Sequence, residues 1–370
     1  MPGRRRWIHM CLIEITSNIR NYTAQIGSIN ECMNDLINLE HKTFLIDEKV
    51  YQIYQDTLLE KIPEEMVLIF PAQEKNKTLN GARKIIDYLL EKSAKKNLTL
   101  VTIGGGILQD VSGFVASTLY RGINWLLIPT TLLSMADSCI GSKTSINYRG
   151  YKNLIGTFYP PSKVWIDPLF VNTLKKADYY SGLGEVIKLH IMGGPSYIHD
   201  LQTNYASLFS RDISIVEKSI YDSLQIKLSY ISGDEFDQGR RNLLNYGHCV
   251  GHAIESVTNF RIPHGQAVII GMAVANRVSC SRGTLSKEKC SFFETSLLLP
   301  ALIKPLHTTE MDLSAITEAM GKDKKRTGKG LALVMAADED FFRIDDLKPE
   351  EIGFAFRDLE EKIVNRGRLV

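Results

Sequence analysis

Leu98-Thr-Leu-Val-Thr-Ile103 runs directly into Gly104-Gly105-Gly106 and then into Ile107-Leu-Gln-Asp110. An apolar, β-branched run bounded by glycines reads as a buried strand, and the segment after the glycines reads as a helix. Such a turn exposes backbone N–H groups at a helix N-terminus, where a pyrophosphate would be stabilised. The Gly-x-Gly-x-x-Gly spacing of dinucleotide-binding folds is not met, and a tight strand-to-helix turn accounts for the glycines equally well.

The same alternation extends to both sides. Lys42-Thr-Phe-Leu-Ile46, Met66-Val-Leu-Ile-Phe70 and Trp125-Leu-Leu-Ile128 are further buried runs, and Asn80 to Lys95 carries the apolar spacing of a surface helix. Buried strands alternating with helices predict a parallel sheet covered on both faces. Beyond about residue 175 the strand signals fade. Long helical patterns take over across Ile213 to Ile231, Gly247 to Val257 and Gly265 to Ser281. The fold class is therefore an α/β nucleotide-binding domain over residues 1–175 and a mainly α-helical domain over 176–370, with the boundary near Asn172 to Asp178.

Composition narrows the function classes. A chain of 370 residues with 44% apolar and 23% charged content is an ordinary globular one, and a net charge of +2 gives no general attraction to nucleic acid or an anionic membrane. No stretch approaches the ~18 apolar residues of a membrane span. Met1 to Arg6 is basic without a following apolar core, which predicts a frayed terminus and not a signal peptide. Six cysteines without a Cys-x-x-Cys pair predict reduced thiols and a cytoplasmic location.

Chemistry concentrates in Asn245-Tyr-Gly-His248-Cys-Val-Gly-His252-Ala-Ile-Glu255 and the nearby Pro263-His264-Gly265. On a helix His248 and His252 share one face, and neutral imidazole is a common zinc ligand. Two hydrogen-bonded histidines without a metal would give the same spacing. The His-Glu-x-x-His motif of zinc peptidases is absent, since Cys249 stands where its glutamate would be. A further ligand must come from elsewhere. Glu185, in Ser181-Gly-Leu-Gly184-Glu185-Val-Ile-Lys188, lies among apolar neighbours and is a candidate carboxylate.

Other polar groups cluster at predicted strand ends: Arg121-Gly122, Thr130-Thr131, Asp137 to Asn147 and Lys152-Asn153. The segment around Lys143 resembles a phosphate-binding P-loop but fails its pattern, because Ser142 separates Gly141 from Lys143 and Ala136 replaces the first glycine. That excludes an ATPase reading and leaves groups suited to phosphate and sugar hydroxyls.

Taken together, GGGILQDVSGF (104–114), YRGINWLLIPTTLL (120–133), DSCIGSKTSIN (137–147), YKNLIGTFYPP (151–161), GLGEVIKLH (182–190), DEFDQGRRNLLNYGHCVGHAIE (234–255) and HGQAVIIGM (264–272) resemble the 3-dehydroquinate synthase family of sugar phosphate cyclases. The resemblance runs from about residue 40 to 340. It implies zinc or cobalt held by Glu185, His248 and His264, with His252 turned to the substrate. It implies NAD+ bound by Glu74, Lys77, Gly105, Gly106, Ile107, Leu108, Gln109, Asp110, Thr130, Thr131, Lys143, Lys152, Phe170, Val171, Asn172 and Thr173. Catalytic roles would fall to Asp137, Lys188, Asn245 and His252, and substrate contacts to Arg121, Lys143, Asn153, Lys227, Arg241 and one of Lys324 and Lys325. Arg121 in this family reaches the neighbouring subunit's site, which implies a homodimer.

The implied reaction takes 3-deoxy-D-arabino-heptulosonate 7-phosphate to 3-dehydroquinate and phosphate, a step of the shikimate pathway. A carbinol is oxidised transiently by NAD+, phosphate is eliminated, the hydride returns, and an aldol step closes the carbocycle. Lys227 and Arg241 match the pair that grips the substrate carboxylate, and Asn245 is retained, which favours an acid substrate over a neutral sugar. Pairing of Arg241 with Asp234, Glu235 or Asp237 is the alternative for that residue. Four departures from the family pattern point to a divergent branch: Ala72-Gln73-Glu74, Ile107-Leu-Gln109-Asp110, Gly141-Ser142-Lys143-Thr144 and His264-Gly-Gln266. The rival activities are another sugar phosphate cyclase, of the 2-deoxy-scyllo-inosose or valiolone type, and a metal-dependent alcohol or glycerol dehydrogenase. A non-catalytic scaffold would have lost a metal ligand, and none is lost.

Overall fold

A computed structural model describes residues 11–303, 312–321 and 330–366. The expectations for Met1 to Arg6 and for Lys324 and Lys325 lie outside the described residues. The chain divides into two compact units, one ending at Thr173 and the other beginning at Leu174.

The first unit is built on a seven-stranded sheet. Its elements in chain order are β1 (Cys11–Ile15), β2 (Tyr22–Ile26), α1 (Ile29–Asn38), β3 (Lys42–Asp47), α2 (Glu48–Tyr54), β4 (Val67–Phe70), α3 (Leu79–Glu91), β5 (Thr99–Gly104), α4 (Gly106–Thr118), β6 (Asn124–Pro129), β7 (Lys143–Tyr148), β8 (Tyr151–Phe158) and β9 (Lys163–Ile166). The strand order is β1-β2-β9-β6-β5-β3-β4, parallel throughout except for the antiparallel β1–β2 pair. Every residue of β5 is buried, as expected for a central parallel strand between covered faces. Because β3 connects outward to β4 while β5 steps back to its other side, the winding direction reverses between β3 and β5. Open α/β sheets bind ligands outside the strand ends at such a reversal. Gly104 to Gly106 lie there: a Cβ placed on Gly104 would stand 3.3 Å from the Cβ of Asp47, at the end of β3.

Two local departures from expectation have physical causes. Helix α3 starts at Leu79, where the Thr78 side chain accepts from Gly81 N, and stops at Glu91 instead of Lys95, because Ser93 takes a left-handed φ of 56°. The polar stretch after Asp137, to which the sequence pattern assigns no element, is regular. Asp137 sits on a π-helical turn, Ser134–Ser138, and Lys143 to Phe158 form the antiparallel hairpin β7–β8, bulged between Ile146 and Tyr148.

The second unit comprises α5 (Lys176–Gly193), α6 (Pro195–Thr203), α7 (Tyr205–Phe209), α8 (Ile213–Ile231), α9 (His248–Val257), α10 (His264–Ser281), α11 (Lys287–Phe292), α12 (Leu313–Gly321), β10 (Leu331–Ala336), β11 (Phe341–Leu347) and α13 (Pro349–Arg366). It is mainly helical, as expected, with an antiparallel β10–β11 pair added. Helix α10 is its centre: every residue from Gly265 to Ser279 is buried. Arg277 on α10 pairs with Glu294 at 2.5 Å and with Asp358 of α13, which anchors that helix.

Candidate active site

In the α/β unit, Gly105 is the N-cap of α4 and no side chain caps that helix, so its first-turn N–H groups point out of the glycine turn. A Cβ on Gly105 would stand 2.9 Å from the Thr131 methyl, so a larger residue would fill the approach to those amides. Thr130 N donates to Gly104 O at 3.1 Å, which holds the Thr130-Thr131 pair beside the turn. Gln109 and Ser138 exchange two hydrogen bonds, Gln109 Nε2 to Ser138 O at 2.6 Å and Ser138 Oγ to Gln109 Oε1 at 2.8 Å. This fastens the Asp137 turn onto α4.

A second cluster surrounds Lys77, which is buried and pairs with Asp110. Lys77 Nζ also donates to Asn153 Oδ1 at 2.6 Å, and Ser145 Oγ lies 3.1 Å from Asp110 Oδ2 and 2.9 Å from Asn153 Oδ1, with one proton to donate between them. Asn147 Nδ2 donates to Glu74 Oε1 at 2.7 Å, while Asn147 Oδ1 accepts from Asn153 N. Glu74, Lys77, Asp110 and Asn153 are thus joined in one network, and the hairpin residues Ser145 and Asn147 were the members not foreseen. Lys143 and Lys152 stand on the same hairpin, the first exposed and the second half-buried. Phe170 to Thr173 lie on a separate short 3-10 helix, Pro168–Thr173, with Phe170 edge-on to Tyr54 and Thr173 Oγ1 2.8 Å from the Tyr54 hydroxyl. Arg121 is not brought to the glycine turn. The 13 residues of α4 intervene, a helix of about 20 Å at 1.5 Å per residue.

In the helical unit, three imidazoles and a carboxylate converge. Ligand nitrogens of His248, His252 and His264 all lie within 4.8 Å of one another. Glu185 Oε1 is 3.1 Å from His264 Nε2 and 3.3 Å from His248 Nε2. Backbone contact sets this convergence, because α5 and α10 meet through glycines: a Cβ on Gly184 would run into the carbonyl of Gly265, and one on Gly265 into that of Ser181. Gly265 N donates to Ser181 Oγ at 3.0 Å. His252 is exposed at the outer side of the cluster, its ring stacked 5.7 Å from that of His264.

The donor set fits a cation. His248 Nδ1 lies 3.1 Å from the Tyr246 carbonyl, which can only accept, so the neutral ring turns its Nε2 lone pair toward the Glu185 carboxylate. Burial and then the Lys188 ammonium keep His248 below the ordinary histidine range, in that neutral form. Lone pair and carboxylate repel unless positive charge lies between them. Glu185 is fully buried, and its Oε2 has Lys188 Nζ at 2.6 Å but no hydrogen bond of proper angle. Burial works to raise the Glu185 carboxyl, but the Lys188 ammonium and the hydrogen bond from His264 outweigh it and hold it well below the usual carboxylate range. Burial also works against a charged His264, yet its bonds to Glu185 and Glu255 carry it up to about 10. Glu185, His248 and His264 are therefore the residues that would hold a divalent ion.

Around this cluster lie the remaining predicted residues of the unit. Lys188 Nζ donates to Leu244 O at 3.1 Å, which ties α5 to the 3-10 turn Arg240–Asn245. Arg241 is buried on that turn and donates to the Glu235 carbonyl; its backbone N–H donates to Asp234 Oδ2 at 2.8 Å. Asn245 Nδ2 donates to Asn242 O. Lys227 is buried on α8. Glu255, whose Oε2 lies 3.0 Å from His264 Nδ1, was not singled out from the sequence, although it follows His248 and His252 at i+7 and i+3 on the same face.

Family profiles described as 3-dehydroquinate synthase N-terminal and C-terminal match residues 67–181 and 182–326. A 3-dehydroquinate synthase of Crocosphaera subtropica is 33% identical over 353 residues, covering 93% of this chain and 96% of that protein. Among solved structures, a 2-epi-5-epi-valiolone synthase from Streptomyces hygroscopicus subsp. jinggangensis with NAD+ and Zn2+ bound matches with a TM-score of 0.83 at 24% identity, covering 96% of this chain and 100% of that one. A 2-deoxy-scyllo-inosose synthase complexed with carbaglucose-6-phosphate, NAD+ and Co2+ matches with a TM-score of 0.80 at 21% identity, covering 96% and 100%. The two-domain fold is that of the dehydroquinate synthase-like proteins. The chain belongs to the 3-dehydroquinate synthase family.

Proposed function

We propose that the chain is a 3-dehydroquinate synthase, a phosphate-eliminating carbon–oxygen lyase that converts 3-deoxy-D-arabino-heptulosonate 7-phosphate to 3-dehydroquinate and phosphate. The observation that carries this reading is the burial of Lys188, Lys227 and Arg241 on α5, α8 and the turn that leads into His248. Lysine and arginine side chains bind carboxylate and phosphate oxygens, and a substrate bearing both groups is complementary to this cationic set beside the metal cluster. Relatives of the same family name at 33% identity over nearly their whole length support it.

NAD+ at the glycine turn and a divalent ion at Glu185, His248 and His264 would supply a recyclable hydride acceptor and a Lewis acid. The chain's own groups orient and charge-balance the substrate. The α4 amides with Thr130, Thr131, Lys77, Asp110 and Lys152 suit the cofactor's phosphates and sugars. Within the helical unit Arg241 and Lys227 suit the carboxylate, and the resemblance gives Lys143 and Asn153 of the first unit a phosphate-binding role. Asn245 and the exposed imidazole of His252 direct hydroxyls, and Lys188 holds Glu185 ionised. Asp137 accepts a hydroxyl hydrogen bond from its fixed turn. Arg121 at the far end of α4 serves the neighbouring copy of a homodimer.

The test offers the heptulosonate, glucose 6-phosphate and sedoheptulose 7-phosphate in parallel and measures phosphate release. Release with the heptulosonate alone, without accumulation of NADH, is expected. Release only with a neutral sugar would assign a different cyclase, and stoichiometric NADH would assign a dehydrogenase.

A further inference from the structure

We propose that Glu255 is a positioning residue for the metal centre: it fixes the proton on His264 Nδ1 and thereby commits Nε2 to the ion. The inference rests on the metal assignment above and concerns a residue outside it. Glu255 is 5% exposed, and its Oε2 lies 3.0 Å from His264 Nδ1. The other ring nitrogen of His264 faces Glu185, so the imidazole is gripped at both ends by carboxylates. His248 is held differently, its Nδ1 against the neutral carbonyl of Tyr246. One imidazole is thus backed by a full negative charge and the other by a dipole. A carboxylate partner fixes the tautomer and makes the opposite nitrogen a stronger donor, which makes His264 the more basic ligand of the two.

Geometry explains why Glu255 can do this. His248, His252 and Glu255 follow one another at i, i+4 and i+7 along α9, so all three line the face that α10 meets. His264 opens α10 directly opposite.

The experiment compares zinc affinity of the full chain and of Glu255→Gln and Glu255→Ala, by competition with a chromophoric chelator at fixed pH, alongside melting of each metal-free protein. Glu255→Ala is expected to bind zinc about 10–100-fold more weakly. The isosteric Gln keeps an acceptor oxygen for Nδ1–H but not the charge, so its loss is expected to be smaller, between twofold and tenfold. Alanine within twofold of the parent chain would overturn the role, and so would a glutamine variant as weak as the alanine one. Should the alanine variant fail to fold, an unchanged affinity in the glutamine variant overturns it alone. A parent chain that takes up no zinc would instead remove the metal assignment itself.

Discussion

Glu185 and Lys188, one turn apart on α5, form an ion pair in which neither side chain is more than 2% exposed and Nζ stands 2.6 Å from Oε2. Removing one member leaves the other as an uncompensated buried charge. Lys188→Met, measured by urea unfolding with chelator present, is expected to cost about 3–5 kcal/mol. The double variant Glu185→Gln/Lys188→Met should recover much of that loss. Strict additivity of the two single changes would show that the pair does not act as a unit.

Metal removal gives the second prediction. Dialysis against a chelator should abolish phosphate release from the heptulosonate, and added zinc or cobalt should restore it. His264→Ala should stay folded but fail to regain activity with either ion. Full activity in that variant would sink the ligand assignment.

Ser142 takes a φ of 67°, in the left-handed region that favours glycine. That conformation costs a non-glycine residue about 1–2 kcal/mol, partly offset by the extra freedom glycine has when unfolded. Ser142→Gly is therefore expected to raise the melting temperature, by up to about 1 kcal/mol of stability. A lowered melting temperature would refute the strain argument.

Gln266 is buried near the start of α10. Its Nε2 donates to Ala301 O at 3.0 Å and Tyr180 O at 3.3 Å, and its Oε1 accepts from Ile303 N at 2.8 Å. Gln266→Glu sets a carboxylate oxygen against two carbonyls, an expected loss of about 1–3 kcal/mol at neutral pH. Such a carboxyl has a raised folded pKa, so the deficit should shrink as the acid is protonated toward about pH 4. A deficit that does not change with pH would reject this account.

His190 is buried on α5, with Nδ1 on Val186 O and with Asp222, Lys218 and Asp200 nearby. Burial holds its pKa below the ordinary value, and Asp222 only partly opposes that. As pH drops below about 6.5, the unfolded chain gains a proton that the native chain refuses, so stability falls through that window. His190→Gln should flatten this limb of the stability profile. An identical slope in the variant would count against it.

The fold was legible wherever a run of residues was apolar throughout. The runs Leu98 to Ile103 and Trp125 to Ile128 announced the strands Thr99–Gly104 and Asn124–Pro129, because central strands are buried over most of their length. The β7–β8 hairpin was not, since most of its residues are only half-buried or exposed and its apolar residues do not alternate cleanly in the sequence. The Glu185, His248 and His264 set required the resemblance: periodicity pairs His248 with His252, and only the meeting of α5 with α10 brings Glu185 to the rings. Glu255 carried a usable helical spacing, but its acceptor role depends on where α10 begins.

Gly184 and Gly265, each next in sequence to a candidate ligand, let two main chains touch where side chains would ordinarily separate them. The gap between carboxylate and imidazole is consequently a property of the polypeptide trace and not of the surrounding hydrophobic packing. Altering the core of this unit should lower its melting point well before it changes which ion the centre prefers. Selecting for an ion of different radius would demand rebuilding the crossing of two helices, a change that single side-chain substitutions do not reach.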